Sequence, residues 1–202
     1  MKNFLLVCAF FLSSFQSLIA SPFIEAAQVA LASTVLIHAD SRQGSGFILQ
    51  ENGAVMTLYH NVKETKSIQV RLPSGEWTPA KLSIGDLETD VALLTIDAQG
   101  LEGLQLETSF QIGEWVLSAG IPFQTEVTVK KGIVACLEKK MEKDYLLVDF
   151  PFNPGDFGGP LLNLEGKVIG MQFANTTTHD VFGVIIPSQT LLEVALKWGV
   201  FL

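Results

Sequence analysis

The sequence predicts an all-β fold, and three observations support this prediction. Short segments rich in Val, Ile, Leu and Phe recur along the chain and are separated by Gly, Asn, Asp or Pro, a pattern typical of strands and turns. Only two segments place apolar residues at helical spacing. The chain has 202 residues, 48% of them hydrophobic, so it can form a packed core. This strand spacing favours a β-barrel or a β-sandwich.

The predicted elements run in the order helix, strands, helix. Apolar spacing predicts the first helix at 22–31 and a second at 188–198, with Ser188 as the cap of the second. The predicted strands are 33–39, 44–50, 53–62, 67–72, 91–96, 115–119, 127–137, 145–150, 167–174 and 181–186. A polar, Gly-bearing stretch within 97–114 divides them, which indicates two β halves at 21–105 and 106–202.

Residues 1–20 have the pattern of a secretory signal peptide. Lys2 precedes an unbroken apolar run at 4–12, and Ala20 and Ser21 resemble a cleavage region. The alternative is a membrane anchor, but polar residues from Ser13 onward interrupt the run well short of a bilayer span. We therefore expect an exported protein, periplasmic or secreted, with no stable membrane anchor after cleavage and with Cys136 as its only thiol.

The charge and the ligand-type residues exclude two classes of function. The chain carries 13 Lys and Arg against 21 Asp and Glu, a net charge of −8, and its basic residues are scattered. A nucleic-acid binder needs clustered cations, so no nucleic-acid partner is expected. The 3 His and 2 Cys match no zinc-site spacing, so the sequence predicts no metal and no cofactor.

Three motifs, in this order along the chain, carry a specific resemblance. They are TLYH at 57–60, DVALL at 90–94 and NPGDFGGP at 153–160. Together they resemble the trypsin-like serine proteases of the HtrA/Deg group, in which such segments supply a His, a buried Asp and the nucleophile loop. The resemblance covers nearly all of residues 22–199 and implies two six-stranded antiparallel β-barrels of the chymotrypsin type, with short N- and C-terminal helices and a site between the barrels.

The resemblance also implies the roles of the site residues. His60 corresponds to the general base and Asp90 to the carboxylate that orients it. The N–H groups of Gly155 and of residue 157 correspond to the oxyanion hole. Taken alone, each of these residues has an ordinary structural interpretation, as a strand-end His or an Asp that begins a strand. Asp156 is expected to hold the loop through backbone hydrogen bonds.

The sequence departs from the family at the nucleophile position. Where the family has Ser, this chain has Phe157, and a benzyl side chain cannot lose a proton or attack a carbonyl carbon. We expect its ring to project toward His60 and block the site, and residues 152–162 contain no Ser, Thr, Cys or Lys that could replace the missing hydroxyl. Tyr59 stands where many relatives have Ala, and a phenol there is expected to crowd the site.

Binding of polypeptide does not require a nucleophile. By resemblance, an extended chain would add as a strand beside Met171, Gln172 and Phe173. The expected apolar pocket is bordered by a second set of residues, namely Val184, Ile185 and Ile186. We expect no PDZ module after the barrels. The helix at 22–31 is expected either to cover a barrel end or to contribute to homo- or hetero-oligomer contacts.

Three functions therefore stay open at the level of sequence. The first is an inactive, exported pseudoprotease that binds extended or unfolded polypeptides or a partner protein. The second is an active serine endopeptidase of protein quality control, if Phe157 is an error or is bypassed. The third is a structural or inhibitory partner of an active paralogue.

Overall fold

The computed structural model describes residues 21–140, 142–176 and 181–200. The predicted signal peptide at 1–20 lies outside these residues. Within them, the chain forms twelve strands, which close into two six-stranded antiparallel barrels, and three short α-helices. The prediction of an all-β protein with two such barrels is confirmed.

The first barrel closes in the order β1-β2-β3-β6-β5-β4. Its strands are β1 Thr34–Ala39, β2 Arg42–Gln50, β3 Ala54–Leu58, β4 Ile68–Arg71, β5 Trp77–Asp86 and β6 Val91–Ile96. Alternate residues of these strands point inward, and Val35, Ile48 and Leu94 belong to the buried cluster that fills the barrel. Burial of this inward face is the main force that closes the sheet.

The second barrel closes in the order β10-β11-β12-β9-β8-β7. Its strands are β7 Trp115–Gly120, β8 Thr128–Lys140, β9 Lys143–Val148, β10 Pro160–Asn163, β11 Val168–Asn175 and β12 Gly183–Pro187. A separate buried cluster crosses from one barrel to the other and includes Phe47 and Met56 on the first side and Leu117 and Met171 on the second. This shared core fixes the two barrels against each other, and the site lies along their junction.

The helices cover the barrels and shape one corner of the site. They are α1 Pro22–Ser33, α2 Tyr59–Val62 and α3 Ser188–Lys197. Pro22 stands in the first turn of α1, where its fixed φ suits a helix start and its missing N–H costs nothing. In α3 the N-cap residue is Pro187, not the predicted Ser188, because the Ser188 hydroxyl instead donates to the carbonyl oxygen of Val168 on β11.

Three elements differ from the prediction. Strand β5 was missed because most of its residues are at least partly exposed and it contains Pro79 and Gly85, so it lacks an apolar pattern. Strand β10 was missed because it is only 4 residues long and begins with Pro160. The predicted strand 53–62 ends early, at Leu58, where the chain turns into α2.

Within the described residues, no helix is both long enough and apolar enough to span a bilayer.

Candidate functional site

His60 and Asp90, the expected catalytic pair, lie side by side at one edge of the first barrel. Strands β3 and β6 are neighbours, and their pairing runs to Leu58 opposite Val91. His60 follows β3 within α2, and Asp90 directly precedes β6. The strand register therefore brings together two side chains that are 30 residues apart in the sequence.

The Asp90 carboxylate holds His60 at two points. Its Oδ1 accepts the backbone N–H of His60 at 2.8 Å, and its Oδ2 lies 2.5 Å from Nδ1 of the ring. The His60 side chain is 46% exposed, whereas that of Asp90 is only 19% exposed. Because Nδ1 is engaged, Nε2 is the nitrogen available to a reacting or bound group. A carboxylate in this position sets the tautomer and orientation of an imidazole.

Arg42 and Tyr59 fix the helical turn that carries His60. Arg42 donates from one guanidinium nitrogen to the His60 carbonyl oxygen at 2.7 Å and from another to the carbonyl of Lys63. The Tyr59 ring does not take the crowding position expected from the sequence. It packs against the core of the first barrel and covers Gly85, where an added Cβ would lie 2.2 Å from the Tyr59 ring.

A tight turn before β6 presents Asp90. Asp86 Oδ1 accepts the N–H groups of Glu88 and Thr89 at 2.8 and 3.1 Å, and Lys197 of α3 reaches Oδ2 at 3.4 Å. Partial burial by itself raises the pKa of the Asp86 carboxyl, but these N–H groups and the ammonium outweigh it and lower the pKa below its ordinary value. The turn delivers Asp90 in the left-handed region, with φ at 60°.

Tyr145 lies within electrostatic range of Asp90, and sequence reasoning missed it. Its ring stacks on Phe173, with ring centroids 5.7 Å apart. Burial raises the pKa of the Tyr145 phenol, and the negative charge of Asp90 raises it further. The sequence placed Tyr145 only in a strand, because nothing adjacent in the chain signals a contact between β9 and the first barrel.

The loop between β9 and β10 brings Gly155 and Phe157 to the junction of the barrels. Gly155 and Gly158 have φ of 100° and 92°, which only glycine adopts readily. The carbonyl oxygens of the loop are held by neighbours: Pro154 accepts from Phe123 N at 3.1 Å and Phe157 accepts from Ser45 N at 2.9 Å. The Gly155 carbonyl accepts the Ser45 hydroxyl at 2.7 Å.

Unlike the carbonyl oxygens of the loop, the N–H groups of Gly155 and Phe157 are not held by any neighbour that the structure describes. Among the residues that the structure describes, neither N–H donates to a protein acceptor. Two unengaged N–H groups, two residues apart in such a loop, can receive a carbonyl or carboxylate oxygen. These are the two N–H groups to which the resemblance assigns an oxyanion hole.

The Phe157 side chain points into an aromatic cluster. Its ring meets Phe152 edge to face, with ring centroids 6.4 Å apart, and Phe152 in turn meets Phe150. The sequence had led us to expect that the Phe157 ring would project toward His60. In the described part of the chain, its ring contact is with Phe152. The ring also packs against buried clusters that include Met171 of β11 and Ile185 of β12, and it contributes no heteroatom to the site.

The Asp156 carboxylate is buried beneath the loop and forms an ion pair. Its Oδ2 lies 2.8 Å from Nζ of Lys130 on β8 and accepts the N–H of Asn153 at 2.8 Å. Backbone hydrogen bonding by Asp156 was expected from the sequence. The ion pair was not, because Lys130 lies in another strand and no motif surrounds it.

The predicted binding residues divide into buried and accessible groups. The side chains of Met171, Gln172, Ile185 and Ile186 are buried in the second barrel. Phe173 and Val184 are half-buried. A bound chain could therefore meet most of this segment only through main-chain groups, and the side-chain pocket expected from the sequence is largely filled by the protein itself.

Among the residues that the structure describes, the end of β11 pairs on one side only. Pairing with β10 stops at Met171, followed by bonds between Gln172 and the Gly158–Gly159 segment, whereas pairing with β12 continues to Asn175 opposite Gly183. The N–H of Thr176 donates toward β12. Because backbone groups alternate sides along a strand, those of Asn175 face the unpaired side. Main-chain groups at this edge can thus accept another extended chain.

The chemistry available at the junction follows from these groups. His60 with Asp90 can accept and return a proton, and the two loop N–H groups can hold an oxygen. The Ser45 hydroxyl donates to the carbonyl oxygen of Gly155 in the loop, and the Thr57 hydroxyl donates to the carbonyl oxygen of Ser45. Both residues are buried. Within the described residues, no three His, Cys, Asp or Glu side chains are grouped to hold a metal ion.

Comparison with known proteins agrees with this geometry. The sequence profile of the trypsin-like peptidase domain matches residues 44–171. A protein of Halomonas elongata named "Probable periplasmic serine endoprotease DegP-like" is 36% identical over 169 residues, covering 78% of this chain and 36% of that protein. A protein of the same name from Chlamydia muridarum is 37% identical over 159 residues, covering 74% of this chain and 32% of that one. The chain thus spans about a third of the length of these curated relatives.

Solved structures give the same result. A serine endoprotease from Yersinia pestis superposes with a TM-score of 0.80 at 28% identity, covering 89% of this chain and 67% of that one. The HtrA-type protease AlgW with tripeptide superposes with a TM-score of 0.82 at 28% identity, covering 87% and 62%. The two closed barrels, the His60–Asp90 contact and these matches lead to one conclusion: the chain belongs to the trypsin-like peptidase domain family, with DegP-like and HtrA-type proteins among its homologues.

Proposed function

We propose that this protein is an exported, catalytically inactive member of the family that captures extended or unfolded polypeptide. The observation that carries the proposal is Phe157. It occupies the position in NPGDFGGP where the resemblance places the nucleophilic Ser. Loss of that nucleophile costs about six orders of magnitude in turnover in a well-studied triad protease. The buried, engaged hydroxyls of Ser45 and Thr57 offer no substitute.

Capture of polypeptide is supported by the unpaired edge of β11. An extended chain added there gains main-chain hydrogen bonds that do not depend on its sequence. Because Met171, Gln172 and Ile185 are buried, the bound chain would be selected for its extended backbone more than for one large side chain. The occupants that fit this surface are unfolded proteins and extended peptides.

A matched pair of variants at Asn175 tests the edge. Its side chain bonds the N–H and C=O of Phe152 at 2.7 and 2.9 Å, and both Asn175→Gly and Asn175→Pro lose these two bonds. Only Pro also removes the N–H on the unpaired side, and proline is tolerated on such an edge. One main-chain hydrogen bond contributes about 1 kcal/mol, so we expect Asn175→Pro to bind about fivefold more weakly than Asn175→Gly.

The assay is fluorescence anisotropy of labelled, unfolded casein titrated with the natural protein and the two variants. Binding by the natural protein, weakened by Pro beyond Gly, supports capture at β11. Absence of casein binding by the natural protein contradicts the proposal. Equal casein affinities of the two variants would show that casein binds at a surface other than the β11 edge.

Export is supported by two observations. The sequence pattern at 1–20 is that of a signal peptide, and the relatives from Halomonas elongata and Chlamydia muridarum are named periplasmic. Cell fractionation of the full chain beside a variant with Leu5 and Leu6 changed to Arg provides the test. The natural chain should leave the cytoplasm, and the variant should be retained there.

A second candidate function, active endopeptidase, is favoured by one specific observation. His60 is held by Asp90, and the N–H groups of Gly155 and Phe157 are unengaged, although a non-catalytic protein does not require this combination. Casein hydrolysis by the natural protein that disappears in His60→Ala would support this candidate and overturn inactivity.

A further inference from the structure

A lysine ammonium sits beneath the loop that carries Gly155 and Phe157. Lys130 lies on β8, with its side chain 25% exposed. Its Nζ contacts three parts of the loop segment: the Asp156 carboxylate at 2.8 Å, the Pro151 carbonyl oxygen at 3.0 Å and the face of the Phe152 ring at 5.8 Å from the centroid. One side chain of the barrel wall therefore contacts this loop segment at three residues.

The Asp156 carboxylate depends on this cation. Its side chain is only 2% exposed, and among the described residues Lys130 is the cation paired with it. Its Oδ1 is buried without a hydrogen-bond partner. Gly120 lies so close that an added Cβ would be 2.6 Å from Oδ1, so the carboxylate has little room to turn toward other donors. A buried charge that loses its partner is strongly unfavourable.

Asp156 is also the residue around which the loop folds. Its N–H donates to Asn153 O and its carbonyl accepts from Gly159 N, both at 3.0 Å. The two unengaged N–H groups, of Gly155 and Phe157, flank it in the sequence. Any movement that carried the carboxylate toward water would rotate the peptide units on both sides and redirect these N–H groups.

We propose that Lys130 is a positioning residue that acts through Asp156 to hold in place the peptide units that carry the Gly155 and Phe157 N–H groups. The cation that stabilises this loop is a side chain of the barrel wall. That a bound polypeptide presents an oxygen to these two N–H groups rests on the proposed function. That Lys130 positions the loop does not depend on it.

Amide NMR spectra of the uniformly ¹⁵N-labelled natural protein and its variants test this proposal without any ligand. Lys130→Met removes the cation at similar length and should shift the Gly155 and Phe157 amide resonances. Lys130→Arg should restore them, because it returns a positive charge. The double variant Lys130→Met with Asp156→Asn should also restore them, because a neutral amide needs no cation and still accepts the Asn153 N–H.

Lys131→Met is the matched control. Lys131 is the next residue of β8, and its Nζ lies over the Trp115 and Phe23 rings, 4.2 and 5.2 Å from their centroids, on the other face of the strand. It should leave the two loop amides unchanged. A merely structural role for Lys130 would lower stability while leaving both resonances in place.

Two outcomes overturn the proposal. One is a folded Lys130→Met protein whose Gly155 and Phe157 resonances coincide with those of the natural protein. If Lys130→Met does not fold, the double variant decides: natural loop resonances support the proposal, whereas displaced resonances or an unfolded chain refute it. Failure of the natural protein to bind casein would refute capture of polypeptide and leave this result standing.

Discussion

Replacing Phe157 with Ser restores the missing hydroxyl and removes a packed ring in one step. The two effects oppose each other, because the hydroxyl adds chemistry while the loss of the ring lowers stability. The ring is half-buried and meets Phe152 edge to face, with centroids 6.4 Å apart. Both effects can be measured separately.

The stability cost follows from the burial of the ring. Truncating a fully buried Phe costs about 3–5 kcal/mol. Because the Phe157 ring is only partly buried, we expect a loss of about 2–3 kcal/mol in Phe157→Ser. In a domain of this size such a loss lowers Tm by about 4–12 °C. Proteins are typically stable by about 5–15 kcal/mol, so the variant should fold at 25 °C.

Phe157→Ala is the control that separates packing from chemistry. It loses the same ring and should show nearly the same fall in Tm, measured by circular dichroism. Only Phe157→Ser gains an oxygen that His60 can deprotonate. We expect covalent labelling by a fluorophosphonate probe, read by intact-protein mass spectrometry, in Phe157→Ser alone. Adding His60→Ala should abolish the labelling.

Two results would refute this reasoning. Labelling or His60-dependent casein cleavage by the natural protein would show that Phe157 does not silence the site. A folded Phe157→Ser protein that fails to react would show that the missing hydroxyl is not the only block. The Phe152 backbone, bound at both its N–H and C=O by Asn175, would then be the next barrier to test.

Three further predictions concern stability. Asp86→Asn should destabilise the protein by about 1 kcal/mol at pH 7, because the folded state lowers the pKa of this carboxyl and therefore favours its charged form. The stabilisation is complete above the unfolded pKa of 3.8, and urea unfolding should show it disappear as the pH falls through the lowered pKa of the folded state. Gly158→Ala should lower the free energy of unfolding by about 3 kcal/mol or more, because the added Cβ would lie 2.2 Å from the carbonyl oxygen of Ser45. Gly75→Ala is the control: Gly75 also has a positive φ, but no atom lies within 4 Å of the added Cβ, so it should cost about 1–2 kcal/mol in the same urea titration. Lys130→Met should lower the free energy of unfolding by about 3 kcal/mol in urea titrations, and an unchanged midpoint would contradict the buried ion pair.

The strands that the sequence predicted are those with a strongly apolar inward face. Segments such as 91–96 and 145–150 are recognisable because their burial requires Val, Ile, Leu and Phe. Strand β5 is held in the sheet by pairing on both sides, with β4 and β6, although much of it is exposed. Its residues are therefore under little pressure to be apolar, and composition could not reveal it.

The candidate site divides in a similar way. Motifs pointed to His60, Asp90, Gly155 and Phe157, and the strand register places His60 against Asp90. Lys130 carries no motif, since its partnership with Asp156 depends on how β8 lies beneath a loop 26 residues further along the chain. The bonds between Asn175 and Phe152, and the stack of Tyr145 on Phe173, are of the same kind.

What the sequence determines by itself is which functional groups exist. Phe157 has no hydroxyl in any fold, and the chain around it offers none at 152–162. What only the tertiary structure decides is which groups meet: that the Phe157 ring contacts the Phe152 ring, and that Lys130 pairs with Asp156. The physical reason is that the chemistry of a side chain is local, whereas distances between residues far apart in the chain are set by strand register and by the packing of one barrel against the other.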